Sequence, residues 1–183
     1  MSAPQASSVG PGLPEGPFVF VTVGTDHHPF DRLVAWADDW TERTGVACLV
    51  QTGTSQPAVR AYGAEYLPYP TMAKAMSEAS AVVCHGGPAT IMLARQCGRV
   101  PLVVPRDPDR GEHVDGHQMR FTRWMAEKNQ IVAATDLAEL EEHLERALSD
   151  PAAFRVDQDS TEAAAAVRRF ADLVDSLMTS RGR

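Results

Sequence analysis

Six short apolar runs, most of them rich in β-branched residues, alternate along this chain with stretches of helical periodicity. That alternation constrains the fold more than any other feature. The runs fall at residues 18–23, 46–51, 65–67, 81–84, 101–104 and 131–133. Between them Phe30, Leu33, Val34, Ala37 and Trp40 repeat at helical spacing, as do Met72, Ala75, Met76 and Ala79. Further helices are expected from the second glycine turn to about Cys97, over about residues 113–128, along Leu137, Leu140, Leu144 and Leu148, and through Val167, Phe170, Leu173, Val174 and Leu177. Apolar residues every three or four positions mark a helix with one buried face, whereas short continuous apolar runs suit strands buried on both faces. Strands alternating with helices predict an α/β domain, a Rossmann-like, doubly wound parallel sheet of about six strands. The usual six-strand order sets the first and fourth strands side by side, where the winding reverses and ligands bind beyond the carboxyl ends.

Both strands at that point run into glycine. Gly24-Thr25-Asp26-His27-His28 follows the first. The fourth passes through Val82-Val83-Cys84-His85-Gly86-Gly87-Pro88-Ala89-Thr90 into the helical Ile91-Met92-Leu93-Ala94. A strand turning onto a helix start exposes free N–H groups at the positive end of the helix dipole, which favours an anion such as phosphate. Glycine lets that backbone come close to the ligand. The alternative is a tight turn whose glycines only relieve crowding. Residues 105–111 are expected to form a charged, mobile loop.

Composition removes several classes. The formal charge of −7 argues against general nucleic-acid binding, so an anion would need a local site. No apolar run approaches the roughly 18 residues of a membrane helix. Residues 1–16, rich in Pro, Gly, Ser and Ala, suggest a disordered tail rather than a signal peptide. A nucleotide-binding domain is expected over 17–155 and a helix packing on it or on a partner over 156–183. Cys48, Cys84 and Cys97, an odd set within strands and a helix, suggest reduced thiols and a cytoplasmic protein. Neither G-x-G-x-x-G after the first strand nor G-x-x-x-x-G-K-[ST] is present, which disfavours a nicotinamide protein and a P-loop NTPase.

Four stretches together carry a family resemblance. They are Val21-Thr22-Val23-Gly24-Thr25 with Pro29-Phe30-Asp31-Arg32-Leu33; Leu67-Pro68-Tyr69 with Met72; residues 85–90; and Val103-Val104-Pro105-Arg106 with residues 111–118. In order and spacing the chain resembles the C-terminal, donor-binding half of GT-B glycosyltransferases of the family 28 type. The resemblance is nearest to stand-alone subunits of two-component UDP-sugar transferases, such as the dolichol-pathway N-acetylglucosamine transferase and bacterial exopolysaccharide glucuronosyltransferases. It implies that Gly24, Thr25, His85, Gly86, Gly87 and Thr90 surround the donor diphosphate, with backbone near Tyr69 and Met72 at the uracil. Glu112 and His113 would meet the sugar hydroxyls, a task a carboxylate suits by accepting two protons. By its side chain Tyr69 reads rather as core, and the alternative for Glu112 and His113 is a solvated helix start.

The resemblance also implies a UDP-sugar donor, no cofactor, and a membrane-anchored partner subunit that supplies the acceptor site and recruits the chain to the inner face of the membrane. The base for the acceptor hydroxyl would come from the partner, with His27 and His28 as the candidates within this chain or else ordinary exposed loop residues. A metal shared by His27, His28, His113 and His117 is not expected: the neighbouring pair cannot easily reach one ion, and the family needs none. One departure stands out. Leu93 occupies the position where the family usually has the glutamate that binds ribose. Two rival readings follow, a non-catalytic nucleotide-sugar-binding subunit and a self-sufficient homodimeric glycosyltransferase.

Overall fold

The computed structural model describes residues 12–156. The expected 156–183 helix lies outside them apart from residue 156, as does most of the expected tail; within the tail's last residues, Leu13 packs against the core. The strands are β1 (Phe18–Thr22), β2 (Ala47–Gln51), β3 (Tyr62–Ala64), β4 (Ala81–His85), β5 (Leu102–Val104) and β6 (Val132–Ala133). They form one sheet in the order β3-β2-β1-β4-β5-β6, every pair parallel. The predicted reversal therefore falls between β1 and β4, where Thr22 pairs with Cys84 and both chains leave the sheet at the same end.

Alternation along the strands splits the core into two faces. Val19, Val21, Val50, Val83 and Val104 point to the side covered by α1 (Asp31–Thr44) and α5 (Leu137–Ser149). Phe18, Phe20, Leu49 and Val82 point to the side of α2 (Tyr69–Glu78) and α3 (Pro88–Gln96). Cys84 and Val103 meet Met125 of α4 (His117–Glu127) on that second side. α1 buries Leu33, Val34, Ala37 and Trp40 and stops at Gly45, whose φ of 71° closes the helix in the left-handed region. At the start of α5, Asp136 accepts the N–H of Glu139 while Glu139 accepts that of Thr135, a reciprocal cap. Burial pushes the Cys48 and Cys84 thiols up to about 11 and about 12, which keeps both protonated and unreactive.

Two elements shift from their expected places. The third strand is residues 62–64 rather than 65–67, because the main-chain ladder with Leu49–Gln51 is set there. The Leu67 N–H is taken instead by the Gln51 side chain at 3.1 Å. α4 begins at His117, four residues later than expected. The chain from Glu112 to Gly116 is bent, and Asp115 accepts the His117 N–H at 2.8 Å to start the helix.

Candidate functional site

β1 and β4 deliver their glycine turns to one imidazole. His85, the last residue of β4, is buried, and a Cβ on either Gly24 or Gly87 would overlap its ring. Gly24 also needs its freedom for the backbone, at φ +83°. The glycines thus make room for His85 first. The Gly86 N–H is already used: it donates to Gln118 Oε1 at 3.1 Å, and a Cβ there would lie 2.8 Å from Thr122 Oγ1. What remains open toward solvent is the start of α3. Gly87 is its N-cap, no side chain caps it, and Pro88 fills the first turn. The first-turn N–H groups, including those of Ala89 and Thr90, therefore point out at the positive end of the helix. Thr90 is half-buried beside them and Thr25 is exposed across the switch point.

Burial, helped by the charge of Arg106, pushes the His85 imidazole down to about 4, and its Nδ1 has no partner among the described residues. The unfolded chain takes up this proton near pH 6.5 and the folded one only near 4. Stability is therefore full above about pH 6.5 and falls by roughly 3 kcal/mol on going down to about pH 4. Chemical denaturation at pH 7 and pH 4.5 should show most of that loss, and H85N should remove it. An equal slope in H85N would assign the pH dependence to other groups.

A single buried arginine locks the site together. Arg106 follows β5 and is fully buried, at 0% exposure. Its Nη2 donates to Val23 O at 2.8 Å, and its Nη1 to His28 O at 2.7 Å and Glu112 O at 3.0 Å. Its guanidinium carbon lies 4.9 Å from the centre of the Phe30 ring. Three carbonyls from two loops thus converge on one cation. Segment 105–111, expected to be mobile, is instead anchored at both ends, through Arg106 and Glu112. The sequence signal for this was slight: an arginine directly after a buried strand and Pro105, in a run of charges that resembled a solvated loop.

Glu112, expected at the sugar hydroxyls, turns inward. It is 5% exposed. Arg32 Nε and Nη2 reach its two oxygens at 2.9 and 2.8 Å, and the Asp107 N–H adds 2.8 Å. Its neighbour His113 faces the β1–α1 loop, with Nε2 3.5 Å from Asp26 Oδ2. Partial burial would raise the Asp26 carboxyl, but the N–H and ring of His28, with the charge of Arg106, hold it at about 2. His27 is 82% exposed, its ring tilted against that of His28 at 3.9 Å between centres.

Tyr69 is not core: it opens α2 at 63% exposure, while Met72 packs partly against the second core face. Leu93 is 9% exposed among Phe18, Phe20 and Leu49, so position 93 faces the core in this chain and offers no ribose ligand. Sequence reasoning missed a cleft at the ends of β2 and β3, lined by Thr52, Thr54, Ser55 and Glu65. It lies one strand from the switch point, where a Cβ on Gly53 would be 2.7 Å from Gly24 O.

A doubly wound parallel sheet with an uncapped helix start at its switch point defines a Rossmann-like α/β domain. The family described as the glycosyltransferase family 28 C-terminal domain matches residues 18–177, and the chain belongs to that family. Solved glycosyltransferases share the fold. CalG4, the calicheamicin glycosyltransferase, is 17% identical with a TM-score of 0.56 over 79% of this chain and 37% of its own. The glycosyltransferase of kitacinnamycin is 14% identical with a TM-score of 0.55, over 83% of this chain and 40% of its own. MurG of Acinetobacter baumannii is 19% identical with a TM-score of 0.50, over 78% and 44%. The chain thus spans less than half the length of these neighbours. No curated protein matches it. Among the described residues no helix is long and apolar enough to cross a membrane.

Proposed function

We propose that this chain is the donor-binding subunit of a two-component glycosyltransferase that moves a hexose-type sugar from a UDP-sugar to a lipid-linked or polysaccharide acceptor. The observation that carries the reading is the uncapped start of α3 beside the Gly24 turn, in a family 28 C-terminal domain. The diphosphate lies against the N–H groups of Gly87 and Ala89 and the hydroxyls of Thr90 and Thr25, where charge needs no lysine. The uracil rests near the backbone of residues 67–72, with exposed Tyr69 beside it. His113 faces the sugar, and Glu112 holds the loop that presents it. Leu93 leaves the ribose to other groups, which loosens nucleotide preference.

One Rossmann-like unit supplies one wall of a transfer cleft, whereas reacting atoms must be held about 3–3.5 Å apart. The partner, a membrane-anchored acceptor-binding protein, docks at the carboxyl ends of the strands and brings the base. His27 and His28 border that seam, and the partner holds this subunit at the inner face of the membrane. The transfer itself uses no metal and no cofactor.

The purified chain should bind UDP by calorimetry yet release none from a UDP-sugar, in an acceptor-dependent way, until the partner is added. Robust transfer by the chain alone would refute the two-component reading in favour of a homodimeric enzyme. UDP binding with no transfer beside any partner would leave a nucleotide-sugar-binding subunit without activity.

A further inference from the structure

Trp124 stands 53% exposed on the outer face of α4, its ring stacked on that of half-buried Phe121 at 6.1 Å between centres. Arg120 lies one turn before it and Lys128, the C-cap, one turn after, so the three share a stripe of the helix. Arg123 adjoins that stripe, and all three cations are exposed. A single exposed apolar ring is ordinary; its setting here is not. Exposed Arg43, Arg60, Lys74 and Arg110 are each paired with a carboxylate, whereas Arg120, Arg123 and Lys128 have no such partner among the described residues. The helix and its C-cap set three cations against one carboxylate, Glu127, in a chain whose formal charge is −7. Asp115, just before the helix, is taken up by His117. Positive charge is thus concentrated around the aromatic pair in a protein that is acidic as a whole.

We propose that the outer face of α4 docks this chain on an anionic lipid surface, with Trp124 at the level of the headgroups and Arg120, Arg123 and Lys128 against their phosphates. Tryptophan suits that depth because its ring is apolar and its N–H stays wet. Aromatic residues beside unpaired Lys and Arg are the composition of a helix that lies in the membrane interface. The core of a protein–protein interface is instead depleted of charge. Each cation near an anionic surface strengthens partitioning by about fivefold. The acidic remainder of the chain is repelled, so the basic face alone approaches and the chain is oriented. α4 starts beside the β4 turn, where Gln118 accepts the Gly86 N–H, so docking by this face sets the switch point next to the lipid. The docking does not depend on the nucleotide reading or on a partner subunit.

The test mixes the full chain, without nucleotide or partner, with vesicles of about one part phosphatidylglycerol to two of phosphatidylcholine, read by co-sedimentation and tryptophan emission. The chain should be half-bound near about 1 mM lipid in about 0.1 M salt, weaker than a single acyl chain confers, and released by about 0.5 M salt. Trp40 is buried and Trp36 half-buried, so a blue shift of emission on binding reports Trp124. Trp124→Phe should abolish that shift, and Trp124→Ser should weaken binding at least about threefold. R120Q/R123Q/K128Q should weaken it at least about thirtyfold, and R43Q/R60Q, which loses cations elsewhere, should stay within about twofold. All these positions are exposed, so melting curves should match the native chain. No binding at about 5 mM anionic lipid, equal binding to phosphatidylcholine alone, or equal losses in the two charge variants would overturn the proposal. Retention by a purified protein partner that needs Trp124, with no vesicle binding, would also overturn it and assign the face to that partner.

Discussion

Arg106→Leu is expected to lower the melting temperature by roughly 10 °C and to weaken UDP binding at least tenfold. The substitution keeps the aliphatic bulk beside Phe30 but strands the carbonyls of Val23, His28 and Glu112, which have the guanidinium as their meeting point. A buried carbonyl left without a donor costs about 1–3 kcal/mol. Three of them, less what relaxation and water recover, give about 3–5 kcal/mol, and for a domain of this size each kcal/mol is worth about 2–4 °C. Burial lowers the Arg106 pKa, with Asp26 and Glu112 opposing, so the native site already carries the cost of an enclosed cation. Arg106→Lys should recover only part of the loss, because one compact ammonium cannot reach carbonyl acceptors on two loops as the guanidinium fork does. Thermal melts with calorimetric UDP titration read both effects. A melt within about 2 °C of the native chain would mean that Arg106 does not tie the loops.

Gly87→Ala is expected to destabilise the fold by about 1–3 kcal/mol, the range for overpacking a filled site, and His85→Ala should relieve most of it. Gly87 has an ordinary φ of −81°, so the backbone accepts alanine and the cost is all side-chain overlap with the His85 ring. Gly24 crowds the same ring, whose Cε1 a Cβ on Gly24 would overlap. In an H85A background the same substitution should cost less than about 0.5 kcal/mol, a coupling that denaturation of the four proteins in the cycle measures. UDP affinity separates the two uses of the glycine. If a phosphate also approaches Gly87, G87A/H85A stays weak for UDP although its fold has recovered relative to H85A. Equal cost of G87A in both backgrounds would sink the packing account.

Much of the architecture was legible in the sequence for a local reason. Whether a run is a strand or an amphipathic helix depends on the spacing of apolar side chains a few residues apart. Thus Leu33, Val34, Ala37 and Trp40 marked α1, and the β-α alternation brought the Gly24 and Gly86-Gly87 turns to one end of the sheet. The boundaries that failed depended on partners distant in the chain. β3 was set by hydrogen bonds to Leu49–Gln51, and the start of α4 by the bend that carries Glu112 inward.

Side-chain roles within the site followed the same division. Position 93 was visible as a departure, but only packing against Phe18 and Phe20 turned it to the core. Glycines were visible as glycines, yet the imidazole they enclose comes into view only when β1 and β4 lie together. Arg106 fell in an expected mobile, charged loop and Glu112 was expected at the sugar or in a solvated helix start, because spacing carries no information about what lies 80 residues away. Arg32, Val23 and His28 are the groups that bury them. Local periodicity determined which elements this chain forms and which loops meet. Only the tertiary structure decided which charges point inward, since a charge is buried only where distant polar groups converge to satisfy it.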